Sequence, residues 1–196
     1  MTDTVVFIVD DEEGIRESLS GIFEDEGYTV LTAGTAEKAF DMLKEQTPDL
    51  MFLDVWLPGI DGIQALTKIR ESNPELPIVM ISGHGNIELA VNATRIGAYD
   101  FLEKPLSLER VLLVASRALE RRKLELENTA LKQDLTEKWR LIGNSPKMKQ
   151  LSEQIDMAAK SNGRVIILGE SGAGKELVAH TLHGSSTRAS KPFIEM

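Results

Sequence analysis

Three apolar runs end on residues able to do chemistry: Val5-Val6-Phe7-Ile8-Val9 runs into Asp10 and Asp11, Leu50-Met51-Phe52-Leu53 into Asp54, and Phe101-Leu102-Glu103 into Lys104. If these runs are parallel strands, their carboxyl ends share one edge of a sheet, where open α/β folds place their sites. Three carboxylates would then face one lysine. Like charges at that range raise one another's pKa unless a cation offsets them, so the pocket predicts a hard divalent ion with oxygen ligands, Mg²⁺. One carboxylate can then attack phosphorus while the ion and Lys104 neutralise phosphoryl oxygens. Taken singly, Asp10 and Asp11 could cap a helix and Asp54 could open a turn before Pro58-Gly59; their combination points to chemistry.

A second constellation is Gly169-Glu170-Ser171-Gly172-Ala173-Gly174-Lys175-Glu176, preceded by the strand candidate Arg164-Val165-Ile166-Ile167-Leu168 and followed by a helical pattern over 175–183. It matches the G-x-x-x-x-G-K core of a P-loop in the strand-then-helix context the motif demands. The amides of Gly172, Ala173 and Gly174 and the helix N-terminus can cradle phosphates, with Lys175 reaching the terminal ones. Glu176 stands where a Ser or Thr hydroxyl normally binds Mg²⁺. His180 and His183 share a helix face but lack a third ligand, and they read as surface residues. His84, in a Gly-flanked loop, also reads as a surface residue.

The elements that must hold these residues alternate regularly. Strands are expected near 5–10, 29–33, 50–54, 78–82 and 99–103, and helices over 13–26, 36–46, 62–72, 87–96 and from 108 onward. Repeating βα units imply an α/β fold, a doubly wound five-stranded parallel sheet covered on both faces. The last helix continues to about Trp139 without Pro or Gly, and Leu124, Asn128, Leu131 and Leu135 alternate at four and three residues. That pattern suits a coiled coil with Asn128 at a core position, or a solvated helix with one apolar stripe. Gly143-Asn144-Ser145-Pro146 breaks it and starts another helix, Ser145 serving as N-cap and Pro146 as first residue. Three regions follow: 4–122, a helical linker over 108–140, and 141–196, with 164–168 a buried-strand candidate.

Composition narrows the function classes. A formal charge of −9 argues against a general surface for nucleic acid or anionic lipid, and 42% hydrophobic residues support a real core. No cysteine is present, which rules out disulfides and thiolate metal sites. No stretch reaches the ~18 apolar residues of a membrane span, nor does the N-terminus look like a signal peptide, so a cytoplasmic protein is expected.

From Asp10-Asp11 to Lys104-Pro105 the first region resembles the receiver domain of two-component response regulators, the CheY-like, flavodoxin-like fold. The resemblance implies that Asp54 accepts a phosphoryl group from a sensor histidine kinase. It implies Mg²⁺ on Asp10, Asp11, Asp54 and the Trp56 carbonyl, and a cis Lys104-Pro105 peptide that aims the lysine. Ser82 and Phe101 match the family's switch pair, a hydroxyl that turns toward the phosphoryl group and a ring that moves inward behind it. The loop G-E-S-G-A-G-K-E-L-V-A, Glu176 included, reads as it does in sigma-54-dependent activators, so 141–196 resembles the start of their AAA+ ATP-binding domain. The order of parts is similar to the NtrC family of enhancer-binding regulators, with 81–88 and Asp54-Val55-Trp56-Leu57 most similar to its NtrX branch.

That family implies a homodimer through receiver and linker, with sigma-54 RNA polymerase and DNA engaged only by later regions. Within these residues there is no Walker B acidic pair, arginine finger or helix-turn-helix, so the stretch is expected neither to hydrolyse ATP nor to bind DNA specifically. A stand-alone receiver without transcriptional output is the competing reading.

Overall fold

The structure, a computed structural model, describes residues 4–83, 87–139, 141–189 and 191–194, with the backbone only at 131–138. It divides into two compact units, Met1–Glu125 and Leu126–Met196.

In the first unit β1 (Val5–Val9), β2 (Thr29–Ala33), β3 (Leu50–Asp54), β4 (Ile78–Ser82) and β5 (Asp100–Glu103) pair in parallel in the order β2-β1-β3-β4-β5. The connecting helices are α1 (Glu13–Asp25), α2 (Ala36–Glu45), α3 (Gly62–Ser72) and α4 (Ile87–Ile96), and α5 (Leu108–Lys138) follows β5. The three central strands, β1, β3 and β4, are buried at every position because both faces of the sheet are covered. Phe7, Val9, Met51, Leu53, Ile78 and Met80 pack with Ala36, Ala39, Ala65, Leu66, Ile69 and Ala93 of α2, α3 and α4. Val6, Ile8, Leu50, Phe52, Val79 and Ile81 pack with Leu19 and Phe23 of α1 and with Val111, Val114, Ala115 and Ala118 of α5. Thr35 and Asp61 cap α2 and α3 through their side chains.

The order reverses at β1, which pairs with β2 on one side and β3 on the other. That reversal opens a crevice beyond the carboxyl ends of β1 and β3, and the first constellation lies there. Gly62 makes the approach close. Its amide donates to the Val55 carbonyl at 2.9 Å, and a methyl group on it would overlap the Asp54 carbonyl oxygen.

In the second unit α6 (Pro146–Ala159) begins as expected, Ser145 Oγ accepting from the Met148 amide and Pro146 in the first turn. The helix α7 (Lys175–Gly184) starts at Gly174, whose φ of 80° is left-handed and suits glycine. The expected buried strand over 164–168 is not formed: the segment joins no strand ladder, with Ile166 83% and Leu168 89% exposed. A strand needs a neighbour to take its amides and carbonyls, and none lies beside this segment among the described residues.

Along α5, Leu124 is exposed and Asn128 likewise, while the side chains of Leu131 and Leu135 lie outside the description. No helix among the described residues is long and apolar enough to cross a membrane.

Candidate functional site

The chain direction of a parallel sheet brings the ends of β1, β3 and β5 to one edge, and with them Asp10, Asp54 and Lys104. Lys104 Nζ lies 3.0 Å from Asp10 Oδ2, 3.2 Å from Asp54 Oδ2 and 2.7 Å from Glu12 Oε1. Asp10 and Asp54 are buried, as is Ser82 at the end of β4. The lysine is held from behind: its amide donates to the Ser82 carbonyl at 2.8 Å, and the Lys104-Pro105 peptide is cis.

Three carboxylates face one lysine, as the sequence argument required, but the third is Glu12 and not Asp11. Asp11 is exposed, and its carbonyl, like that of Asp10, accepts from Arg16 Nη1 at 2.9 and 2.8 Å. Asp10 Oδ1 accepts from the Glu12 amide at 2.9 Å. Oxygens of Asp10, Glu12 and Asp54 lie within 4.8 Å of one another. Glu12 went unnoticed because it follows the Asp pair at a helix start, where an acidic residue is unremarkable; only its long stem, aimed back across the turn, sets it apart.

Burial pushes the Asp10 carboxyl above its ordinary range, against the pull of the Lys104 ammonium and the Glu12 amide, and the charge of Asp54 adds to the rise. Like charge is thus the lesser cause, where the sequence argument had put it first. For Lys104, burial disfavours the ammonium, but contact with Glu12 and Asp10 and the charges of Asp54 and Asp10 outweigh it and raise its pKa.

Two buried oxygens, Asp10 Oδ2 and Asp54 Oδ1, accept no hydrogen bond. The 3.0 Å approach of Lys104 to the first is a charge contact without hydrogen-bond alignment. Orphaned carboxylate oxygens in a buried pocket are costly, and they are the donor type a hard divalent cation takes. The residues therefore fit Mg²⁺. Trp56, expected to add its carbonyl, follows the end of β3 and is 59% exposed. Phe101 is half-buried against the core and lines an open groove with Ile87, Val91, Arg95 and Arg110. His84 lies outside the described residues.

In the second unit the loop from Gly169 to Glu176 leads into α7 with Gly172 at φ 79° and Gly174 at φ 80°, and the Ala173 amide between them donates to the Glu170 carbonyl at 3.2 Å. Lys175 folds back, donating to the carbonyls of Gly169 at 3.0 Å and Glu170 at 2.7 Å. His180 and His183, expected at the surface, are half-buried: the His180 ring stacks on Trp139 at 3.8 Å, and both imidazoles contact Phe193. The aromatic neighbours are distant in sequence, so helical spacing alone could not reveal them.

Each constellation falls within a region that matches a known family. Residues 6–116 match the response regulator receiver domain and 141–196 the sigma-54 interaction domain. The chain is 46% identical over 191 residues to the nitrogen assimilation regulatory protein NtrX of Azorhizobium caulinodans, covering 96% of this chain and 42% of that protein. It is 40% identical over 195 residues to the C4-dicarboxylate transport transcriptional regulatory protein DctD of Pseudomonas aeruginosa, again covering 42% of it. The chain thus spans less than half the length of these relatives. Among solved structures it is similar to NtrX from Brucella abortus in complex with ATP, at 47% identity and a TM-score of 0.65 over 98% of this chain and 43% of that one. The receiver domain of the same protein matches at 52% identity and a TM-score of 0.57 over 59% of this chain and 98% of that one. A β1–β3–β5 pocket of buried carboxylates and one lysine, ahead of a P-loop segment matching the sigma-54 interaction domain, marks this chain as a member of the response regulator receiver family, of the kind represented by NtrX and DctD.

Proposed function

We propose that this chain is the signal-receiving part of a phosphorylation-controlled transcription activator, in which Asp54 takes a phosphoryl group from a phosphohistidine of a sensor histidine kinase. The observation that carries this reading is the pairing of Lys104 with Asp54 at 3.2 Å beside two buried carboxylate oxygens that accept no aligned hydrogen bond. In the transfer an Asp54 carboxylate oxygen forms the new bond to phosphorus as the phosphorus–nitrogen bond to the donor breaks. The electron pair of that bond stays on the imidazole nitrogen, which takes a proton from solvent. Asp54 thereby becomes an acyl phosphate, labile enough for a reversible signal.

Asp10 and Asp54, with Asp11 and the Trp56 carbonyl as the resemblance has it, would hold Mg²⁺. Bound there, the ion supplies positive charge to the phosphoryl oxygens. Lys104, 3.2 Å from Asp54 Oδ2, supplies a second positive centre. Ser82, buried at the end of β4, offers a hydroxyl to the new phosphoryl oxygens, and Phe101 has an adjoining groove into which or out of which its ring can move. Ile87, Leu108 and Leu113, exposed on α4 and α5, give the receiver an apolar surface for a homodimer.

The P-loop segment is read as the start of an ATP-binding domain. Lys175 would exchange its two carbonyl partners for terminal phosphate oxygens. Contact with sigma-54 RNA polymerase and with DNA is assigned to regions beyond these residues.

Intact mass after treatment with acetyl phosphate and Mg²⁺ tests the receiver mechanism. One labile phosphate-sized gain is expected in the wild type and none in Asp54→Asn. Equal gain in both removes Asp54 as the acceptor.

A further inference from the structure

Glu12 sits where α1 begins, a position whose side chain ordinarily accepts from amides of the first turn. Here it caps nothing. Its Oε1 instead makes the shortest contact to Lys104, 2.7 Å, against 3.0 Å for Asp10 and 3.2 Å for Asp54. The backbone is committed to the same pocket through the bond from the Glu12 amide to Asp10 Oδ1. The lysine ammonium has three hydrogens and already faces three carboxylates. A phosphoryl group on Asp54 brings further oxygens that need that ammonium, so one carboxylate has to yield. Asp10 and Asp54 are fixed in the interior, their side chains 0% and 3% exposed, whereas that of Glu12 is 60% exposed and can swing into water at little cost.

We propose that Glu12 parks Lys104 in the unphosphorylated pocket and is the partner the ammonium gives up when a phosphoryl group arrives on Asp54. Glu12 is thus a positioning residue: it acts through Lys104 and sets how tightly the pocket takes the phosphoryl group. The inference rests on Asp54 being the acceptor. It also separates Glu12 from a metal ligand, a role its nearness to Asp10 and Asp54 would otherwise suggest.

Calorimetry with two probes decides it: Mg²⁺ alone, and beryllofluoride, a phosphoryl mimic that binds carboxylate, at saturating Mg²⁺. Glu12→Gln removes the charge, and Glu12→Asp keeps the charge but shortens the reach. Both variants are expected to bind beryllofluoride roughly three- to tenfold tighter than wild type, the range a partly exposed ion pair can contribute, with Mg²⁺ affinity within about twofold. Unchanged or weaker beryllofluoride binding overturns the proposal, as does a Glu12→Asp variant that behaves like wild type. A loss of Mg²⁺ affinity of about tenfold makes Glu12 a ligand and overturns it too. Asp54→Asn separates the two readings: beryllofluoride binding that survives it removes Asp54 as acceptor and overturns the proposal with it, whereas failure of the Glu12 variants alone overturns the proposal and leaves Asp54 as acceptor.

Discussion

β1 and the segment 164–168 carry the same local signal, five residues dominated by Val, Ile and Leu or Phe, yet only one becomes a strand. Val5–Val9 is buried at every position between β2 and β3, whereas in 164–168 Ile166 and Leu168 stand in solvent. Local preference is equal; partnership is not. A strand is completed by what lies beside it, so the receiver unit has a closed core and the P-loop unit an open apolar edge.

The largest test of that contrast compares two apolar truncations. Phe52 is fully buried and packs on Phe23 at 5.3 Å between ring centroids, so Phe52→Ala is expected to cost about 3–5 kcal/mol in denaturant unfolding of the receiver. Ile166→Ala should stay within about 0.5 kcal/mol, having little burial to lose. A comparable loss for both would mean that 164–168 is packed in solution.

Two glycines give the next contrast. Gly62→Ala forces a methyl into the Asp54 carbonyl and should cost about 2–4 kcal/mol while lowering phosphoryl uptake. Gly172 has open space around it but a φ of 79°, so Gly172→Ala is expected to cost about 1 kcal/mol, through backbone strain alone, and to leave receiver phosphorylation untouched. Of the same size, Asp61→Ala and Ser145→Ala each remove a helix cap, one in each unit, at about 1 kcal/mol. Helicity by circular dichroism on heating should fall at a lower temperature in both variants.

The pH response belongs to the receiver. The Asp10 carboxyl titrates higher folded than unfolded, so without Mg²⁺ the folded state binds more protons across that window. Stability should therefore fall as pH rises from the ordinary carboxylate range through the raised value. Saturating Mg²⁺ is expected to reverse the slope, and Asp10→Asn to abolish it, in thermal melts run over that pH range.

Much of the receiver was legible because its three central strands are buried on both faces and its turns carry Gly and Pro: β2, β3, β4, α3 and α4 begin and end where periodicity put them. The carboxylate–lysine pocket followed from the ends of three strands meeting at one sheet edge. Glu12 and Gly62 were not legible, since both matter through contacts across the fold, 92 residues to Lys104 in the first case and a backbone approach to Asp54 in the second. Periodicity likewise could not show that 164–168 lacks a neighbour or that Trp139 and Phe193 cover His180.

The central claim is that Asp54 receives phosphorus at this pocket, and borohydride reduction after acetyl phosphate treatment tests it most directly. Reduction of an aspartyl phosphate leaves homoserine, which peptide mass mapping locates. The account predicts homoserine at position 54 alone and only when Mg²⁺ was present. Homoserine at Asp10 or Asp11, or its absence from a protein that has gained phosphate, would contradict it.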